Sequence, residues 1–149
     1  MKTRYLIHSL LGLMLALFLV TSCTHNNGDI GEQFGQWKLM RIERNGVVDD
    51  TYGGNMFWSF QSSTIEMKIV ALDHSTRNTF GNYNIESGLM HISFPDDDRT
   101  PPDGLGLTRE NDLKIVTLSD SRMTLSYKNA YVPAGGGEPE DMILYFTKW

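Results

Sequence analysis

The segment that decides the fold is Thr64-Ile65-Glu66-Met67-Lys68-Ile69-Val70. Ile65, Met67 and Ile69 alternate with Glu66 and Lys68, so side chains fall on two faces, one apolar and one charged. A period of two over seven residues is the signature of a strand with one face against a core and one in water. Ser62-Ser63 before it and Asp73-His74-Ser75 after it are turn formers, which makes this strand the centre of two hairpins.

The same pattern extends in both directions. Upstream, Met56, Trp58 and Phe60 share one face of a strand, with Phe57, Ser59 and Gln61 on the other. Downstream, Arg77–Glu86 places Gly81, Tyr83 and Ile85 together, and Ser87-Gly88 turns the chain into Leu89–Phe94. Leu113–Leu118 and Arg122–Lys128 flank the turn Ser119-Asp120-Ser121, and Asp141–Trp149 closes the chain as an apolar strand. The domain opens with Phe34–Arg44, where Trp37, Leu39 and Arg41 alternate with Lys38, Met40 and Ile42 and both faces are partly apolar. Asn45-Gly46 is a strong turn signal. Val47–Asn55 reads as a polar connection and Leu107–Asn111 as a short helical turn. Two long loops remain: Pro95–Gly106, which its prolines keep irregular, and Ala130–Glu140 with Gly135-Gly136-Gly137. The total is about eight strands with no long amphipathic helix, an all-β barrel or sandwich of antiparallel strands.

The chain begins differently. Lys2 and Arg4 precede a largely apolar run from Tyr5 to Val20 that ends in Thr21-Ser22-Cys23. A charged start, an apolar stretch and small polar residues describe a cleaved export signal. The run falls short of the roughly 20 apolar residues that a membrane-spanning helix requires. Val20-Thr21-Ser22-Cys23 resembles the lipobox of bacterial lipoproteins, in which the signal is cut before the cysteine and the cysteine is acylated. That resemblance implies a signal peptide over residues 1–22 and lipidation at Cys23. It also implies a flexible tether over 23–33, a domain over 34–149, and a lipid anchor in the cell envelope, at the outer membrane with its face open. Each buried CH₂ contributes about 0.8 kcal/mol, so several acyl chains together hold a protein on a bilayer. Cys23 is the only cysteine, which excludes an intrachain disulfide.

The formal charge of the whole chain is −5, and losing Lys2 and Arg4 with the leader makes the remainder two units more acidic. Binding to a phosphate backbone requires clustered Lys and Arg, and no cluster occurs, so a nucleic-acid partner is not expected.

Gly35-Gln36-Trp37-Lys38-Leu39, Gly81-Asn82-Tyr83-Asn84-Ile85 and Leu118-Ser119-Asp120-Ser121-Arg122-Met123-Thr124-Leu125 stand in the order and spacing of recurrent motifs. They resemble those of the small lipocalin-like lipoproteins of Gram-negative bacteria, over most of residues 34–149. The resemblance implies a lipocalin-like up-and-down β-barrel of eight strands, with Trp37 as a structural plug at its floor. The C-terminal helix of classical lipocalins has no counterpart in the sequence. Such a barrel has room for packed side chains or one small ligand. Met56, Trp58, Phe60, Ile65, Met67 and Ile69 are expected to face inward, as are Tyr83, Ile85, Met123, Leu125 and Tyr127. They either fill the core or line a pocket for a small apolar or amphipathic ligand, and methionine walls suit varied apolar shapes.

Catalytic chemistry finds little support. His25 lies in the tether, His74 in a turn beside Asp73 and His91 within a strand, and no serine has the context of a nucleophile elbow. Asp96-Asp97-Asp98 with Asp103-Gly104 has the oxygen ligands calcium takes but fits no EF-hand spacing and reads as a solvated acidic loop, and no His/Cys pattern suits zinc. The sequence therefore points to a non-enzymatic protein without cofactor or metal. It binds either a small molecule in the barrel or a protein partner through the 95–106 and 130–140 loops or a strand edge. Replacing Trp58 or Met67 by alanine separates the two: ligand affinity changes in the first case, and only stability in the second, as read by titration and chemical unfolding.

Overall fold

The computed structural model describes residues 31–95, 104–129 and 138–149. These residues form β1 (Gly35–Arg44), β2 (Val47–Val48), β3 (Met56–Gln61), β4 (Thr64–Val70), β5 (Thr76–Glu86), β6 (Leu89–Ser93), β7 (Glu110–Leu118), β8 (Arg122–Lys128) and β9 (Asp141–Lys148). The sheet order is β2-β1-β3-β4-β5-β6-β7-β8-β9, and β9 pairs back onto β1. Since β2 is a two-residue ribbon on β1, the closed wall is an eight-stranded, antiparallel up-and-down barrel, as the resemblance implies; the alternation alone leaves barrel or sandwich open. Closure satisfies the strand edges that an open sheet would leave bare.

Two turns explain why the hairpins form where they do. Asn45-Gly46 and Ser87-Gly88 both carry positive φ at both positions, the geometry whose twist matches the flanking strands. Asp73 accepts hydrogen bonds from the Ser75 amide at 2.9 Å and the Ser75 hydroxyl at 2.6 Å, which pins the β4–β5 turn.

Each strand reverses the last, so connections alternate between two ends. The β3–β4, β5–β6 and β7–β8 turns, of two or three residues each, lie at one end. The longer connections before β3, β5, β7 and β9 lie at the other, here called the mouth. At the tight end Trp37 is fully buried. Its indole N–H donates to the Gln33 carbonyl at 2.7 Å, and Lys148 Nζ sits 5.0 Å from its ring centre.

The interior is one apolar cluster. Trp58 packs 4.9 Å from Phe146 and 6.3 Å from Phe60, and Phe60 packs edge-on to Tyr83 at 5.0 Å. Ile65, Met67, Met90, Leu113, Met123 and Leu125 complete the layer without exposure to solvent. Two β-bulges adjust it. The β1–β9 register slips between Leu39 and Arg41, and the β7–β8 register between Ile115 and Thr117. Met40 and Val116, the extra residues, are 53% and 55% exposed.

Several details differ from the sequence reading. The bulge at Met40 inverts the alternation, so Ile42 joins the core while Arg41 lies outside, stacked 3.9 Å from Tyr145. Val47-Val48 pairs with β1 where a plain connection was expected. Residues 107–111 form no helical turn, because β7 already begins at Glu110 opposite Ser93. Ile85 has the inward register of Gly81 and Tyr83 yet is 37% exposed. The β4–β5 ladder ends at Thr64 opposite Asn82, so β5 runs past its neighbour there and nothing covers Ile85 on that side.

Gly81 marks the tightest approach in the wall. A Cβ there would lie 2.6 Å from the Ser93 carbonyl oxygen and 3.0 Å from the Phe94 ring, which is itself buried. Backbone and a packed ring give way poorly, so Gly81→Ala should lower unfolding free energy by about 1–3 kcal/mol, seen as a lower urea midpoint at unchanged slope.

Candidate functional site at the barrel mouth

The inward register of β1 past its bulge runs through Ile42 to Arg44, and that placement builds the site. Arg44 lines a cavity of about 510 Å³ at the mouth. Its apolar floor and walls come from Ile42, Met56, Ile69, Val70, Leu72 and Leu105; Asp49, Thr51, Tyr52 and Asn55 supply the polar groups. The volume falls within the ~300–1,000 Å³ range of small-molecule sites.

Arg44 ties three segments together. Its Nε donates to Asp49 Oδ2 at 3.0 Å and its Nη1 to Glu140 Oε2 at 3.1 Å. Its Nη2 donates to the Gly104 carbonyl, and Nη1 also approaches Met142 Sδ at 3.5 Å. Burial works against the charge, but the two carboxylates outweigh it and raise the Arg44 pKa. Asp49 is held below its ordinary value, first by the Thr51 hydroxyl at 2.5 Å and then by Arg44.

Two tyrosines fix the walls. Tyr52 donates to the Leu39 carbonyl at 2.9 Å and accepts from the Met56 amide at 3.2 Å; burial pushes its pKa up to about 12. Tyr127 donates to the Leu105 carbonyl at 2.6 Å, and burial raises its pKa as well. Leu105 and Leu107 are thereby held in the core although they belong to the β6–β7 connection.

Of the eleven inward candidates, Met56 and Ile69 border this cavity. Trp58, Phe60, Ile65, Met67, Tyr83, Met123 and Leu125 belong to the buried cluster, Tyr127 packs half-buried against it, and Ile85 lies at the tight end. Trp58 Nε1 is the buried side-chain polar atom that has no hydrogen-bond partner among the described residues. Reading the sequence missed Arg44, Asp49, Tyr52 and Leu105. Tyr52 was the available signal, as a lone aromatic in an otherwise polar connection. His91 faces outward and pairs with Asp112 at 2.5 Å, away from the mouth. Cys23, His25, Asp96, Asp97, Asp98 and Asp103 lie outside the described residues, as does most of the 95–106 and 130–140 loops.

The Asp49 contacts carry a pH signature. A carboxylate with a depressed folded pKa contributes stability in full above its unfolded value of about 3.9 and loses it as pH falls through the folded value. Thr51→Ala removes the largest cause. It should lower stability at pH 7 by about 0.5–1.5 kcal/mol, and the wild-type and variant curves should converge below about pH 3, as measured by urea unfolding across that range.

Comparison with known proteins agrees with this architecture. A family model for the lipocalin-like domain matches residues 17–132. The crystal structure of a lipocalin-like protein from Bacteroides uniformis is 18% identical with a TM-score of 0.63, covering 80% of this chain and 100% of that one. An uncharacterized protein from Bacteroides eggerthii is 17% identical with a TM-score of 0.58, covering 78% and 99%. At such identities the likeness is one of fold. No curated protein matches the chain. With more than half of its residues matched by the family model and its strands closed into the corresponding barrel, the chain belongs to the lipocalin-like domain family.

Proposed function

We propose that this protein is a cell-envelope lipoprotein, anchored through Cys23, that holds a small apolar or amphipathic molecule in the mouth of its barrel and performs no catalysis. The observation that carries the binding reading is the mouth cavity of about 510 Å³, with an apolar floor of Ile42, Met56 and Leu105 beneath a polar rim. This space opens at the barrel end, above an interior that side chains fill. Gly31 to Phe34 approach the barrel beside Trp37, at the end away from the mouth. The lipobox-like Val20-Thr21-Ser22-Cys23 supports the anchor, and the resemblance to lipoproteins of Gram-negative bacteria is the ground for proposing the outer membrane.

Native mass spectrometry of the mature chain taken from its own host tests the binding reading: the expected result is an added mass that leaves on denaturation. Ile69→Trp fills the cavity wall and should lower affinity for that molecule at least tenfold, while Ile85→Trp at the opposite end leaves it unchanged. Equal affinities in the two variants would place the ligand elsewhere. The anchor is tested separately. Intact mass should show loss of residues 1–22 and gain of acyl chains on Cys23, and Cys23→Ser should move the protein from the membrane to the soluble fraction.

A further inference from the structure

We infer that the mouth selects neutral or cationic amphipaths that donate hydrogen bonds, such as alkyl amines and alcohols, and discriminates against carboxylates. This deepens the proposed binding role and rests on it. The inference starts from Arg44. A lone arginine at the mouth of an apolar cavity would be a receptor for an acid, but this one already carries two carboxylates. Asp49 lies 3.0 Å from Nε and Glu140 lies 3.1 Å from Nη1. One guanidinium between two carboxylates has a formal charge of −1. Among the described residues, Arg44 and Asp49 are the charged ones that border the cavity, and Glu140 on the same guanidinium tips their local field negative. An incoming carboxylate would have to displace one of two acids held in place by the chain itself, or sit unpaired beside them. Either course carries a repulsion and desolvation cost that a neutral or cationic head group avoids.

The hydrogen-bond inventory points the same way, and independently of charge. Among the described residues, each side-chain donor group bordering the cavity already serves an acceptor inside the protein. The three nitrogens of Arg44 serve Asp49, Glu140 and Gly104, and the Tyr52 hydroxyl serves the Leu39 carbonyl. Asn55 Nδ2 donates to the Val70 carbonyl at 3.0 Å, and the Thr51 hydroxyl donates to Asp49. Asn55 Oδ1 at the cavity and Glu140 Oε1, on the second carboxylate held by Arg44, receive no hydrogen bond among the described residues and remain able to accept. A ligand head that donates finds partners there. A carboxylate, which only accepts, gains nothing from those two oxygens.

The test uses the full mature chain and three probes with the same alkyl chain: dodecylamine, dodecanol and dodecanoate, each below its micelle concentration and at neutral pH. Affinity is read by displacement of an uncharged fluorescent probe. The expected order is amine, then alcohol, then acid, with the amine at least tenfold tighter than the acid. The amine-to-acid ratio should shrink several-fold when salt is raised from 10 mM to 500 mM, because screening weakens a field set by partly exposed charges. Glu140→Gln, which removes the excess negative charge, should shrink the ratio in the same direction at low salt, and its circular dichroism should confirm that the barrel is intact. Dodecanoate binding as tightly as dodecylamine, or a ratio indifferent to salt, overturns the inference while leaving a binding protein. Failure of all three probes to bind overturns the binding role itself, and the inference with it.

Discussion

The double pairing of the first strand is the constraint on which the rest depends. Residues 37–44 of β1 bond to β9 on one side, while its first four residues bond to β3 on the other. Only this closure turns a meander of hairpins into a barrel with an inside. It also brings the two ends of the domain together, so that the Trp149 amide reaches the Gln36 carbonyl at 2.8 Å. Without it the Trp37–Trp58–Phe146 region would have one wall missing, and the apolar area that drives folding would stay wet.

Closure leaves the inward-facing residues little choice of position, and a single extra residue then has a long reach. The bulge at Met40 shifts every later β1 side chain to the other face. Ile42 enters the core and Arg44 enters the mouth, where it gathers Asp49, Glu140 and Gly104 around one guanidinium. The polar character of the cavity rim is thus a consequence of strand register. It also explains why two acidic residues, far apart in sequence, come to rest on the same cation at the opening of an apolar cavity.

Much of the fold was legible because its signals are local. Ile65-Glu66-Met67-Lys68-Ile69 alternates as written, and the turn pairs Asn45-Gly46 and Ser87-Gly88 adopt the positive φ that their composition suits. The site was far less legible. Met56 and Ile69 were visible as inward residues, but Arg44 falls on the wrong face under simple alternation from Trp37. Leu105 sits among Gly and Pro residues that read as loop and Leu107 opens what reads as a helical turn, yet both are buried, Leu105 with its carbonyl held by the Tyr127 hydroxyl. Ile85 erred the other way, since alternation predicts which way a side chain points but not whether a neighbouring strand extends far enough to cover it.

By itself, the sequence determined the class of the fold, the position of most strands and turns, and the apolar face of each, because these follow from the two-residue period and from backbone preferences acting over a few residues. The apolar stretch near the start of the sequence, the single cysteine and the acidic balance are likewise matters of composition and order. The tertiary structure alone decided where space remains inside the barrel and what lines it. A cavity is the difference between the volume that eight strands enclose and the volume their side chains fill. That difference depends on closure, on a bulge that no residue type announces, and on loops folding back over the opening, all of which are interactions between residues that the chain keeps far apart.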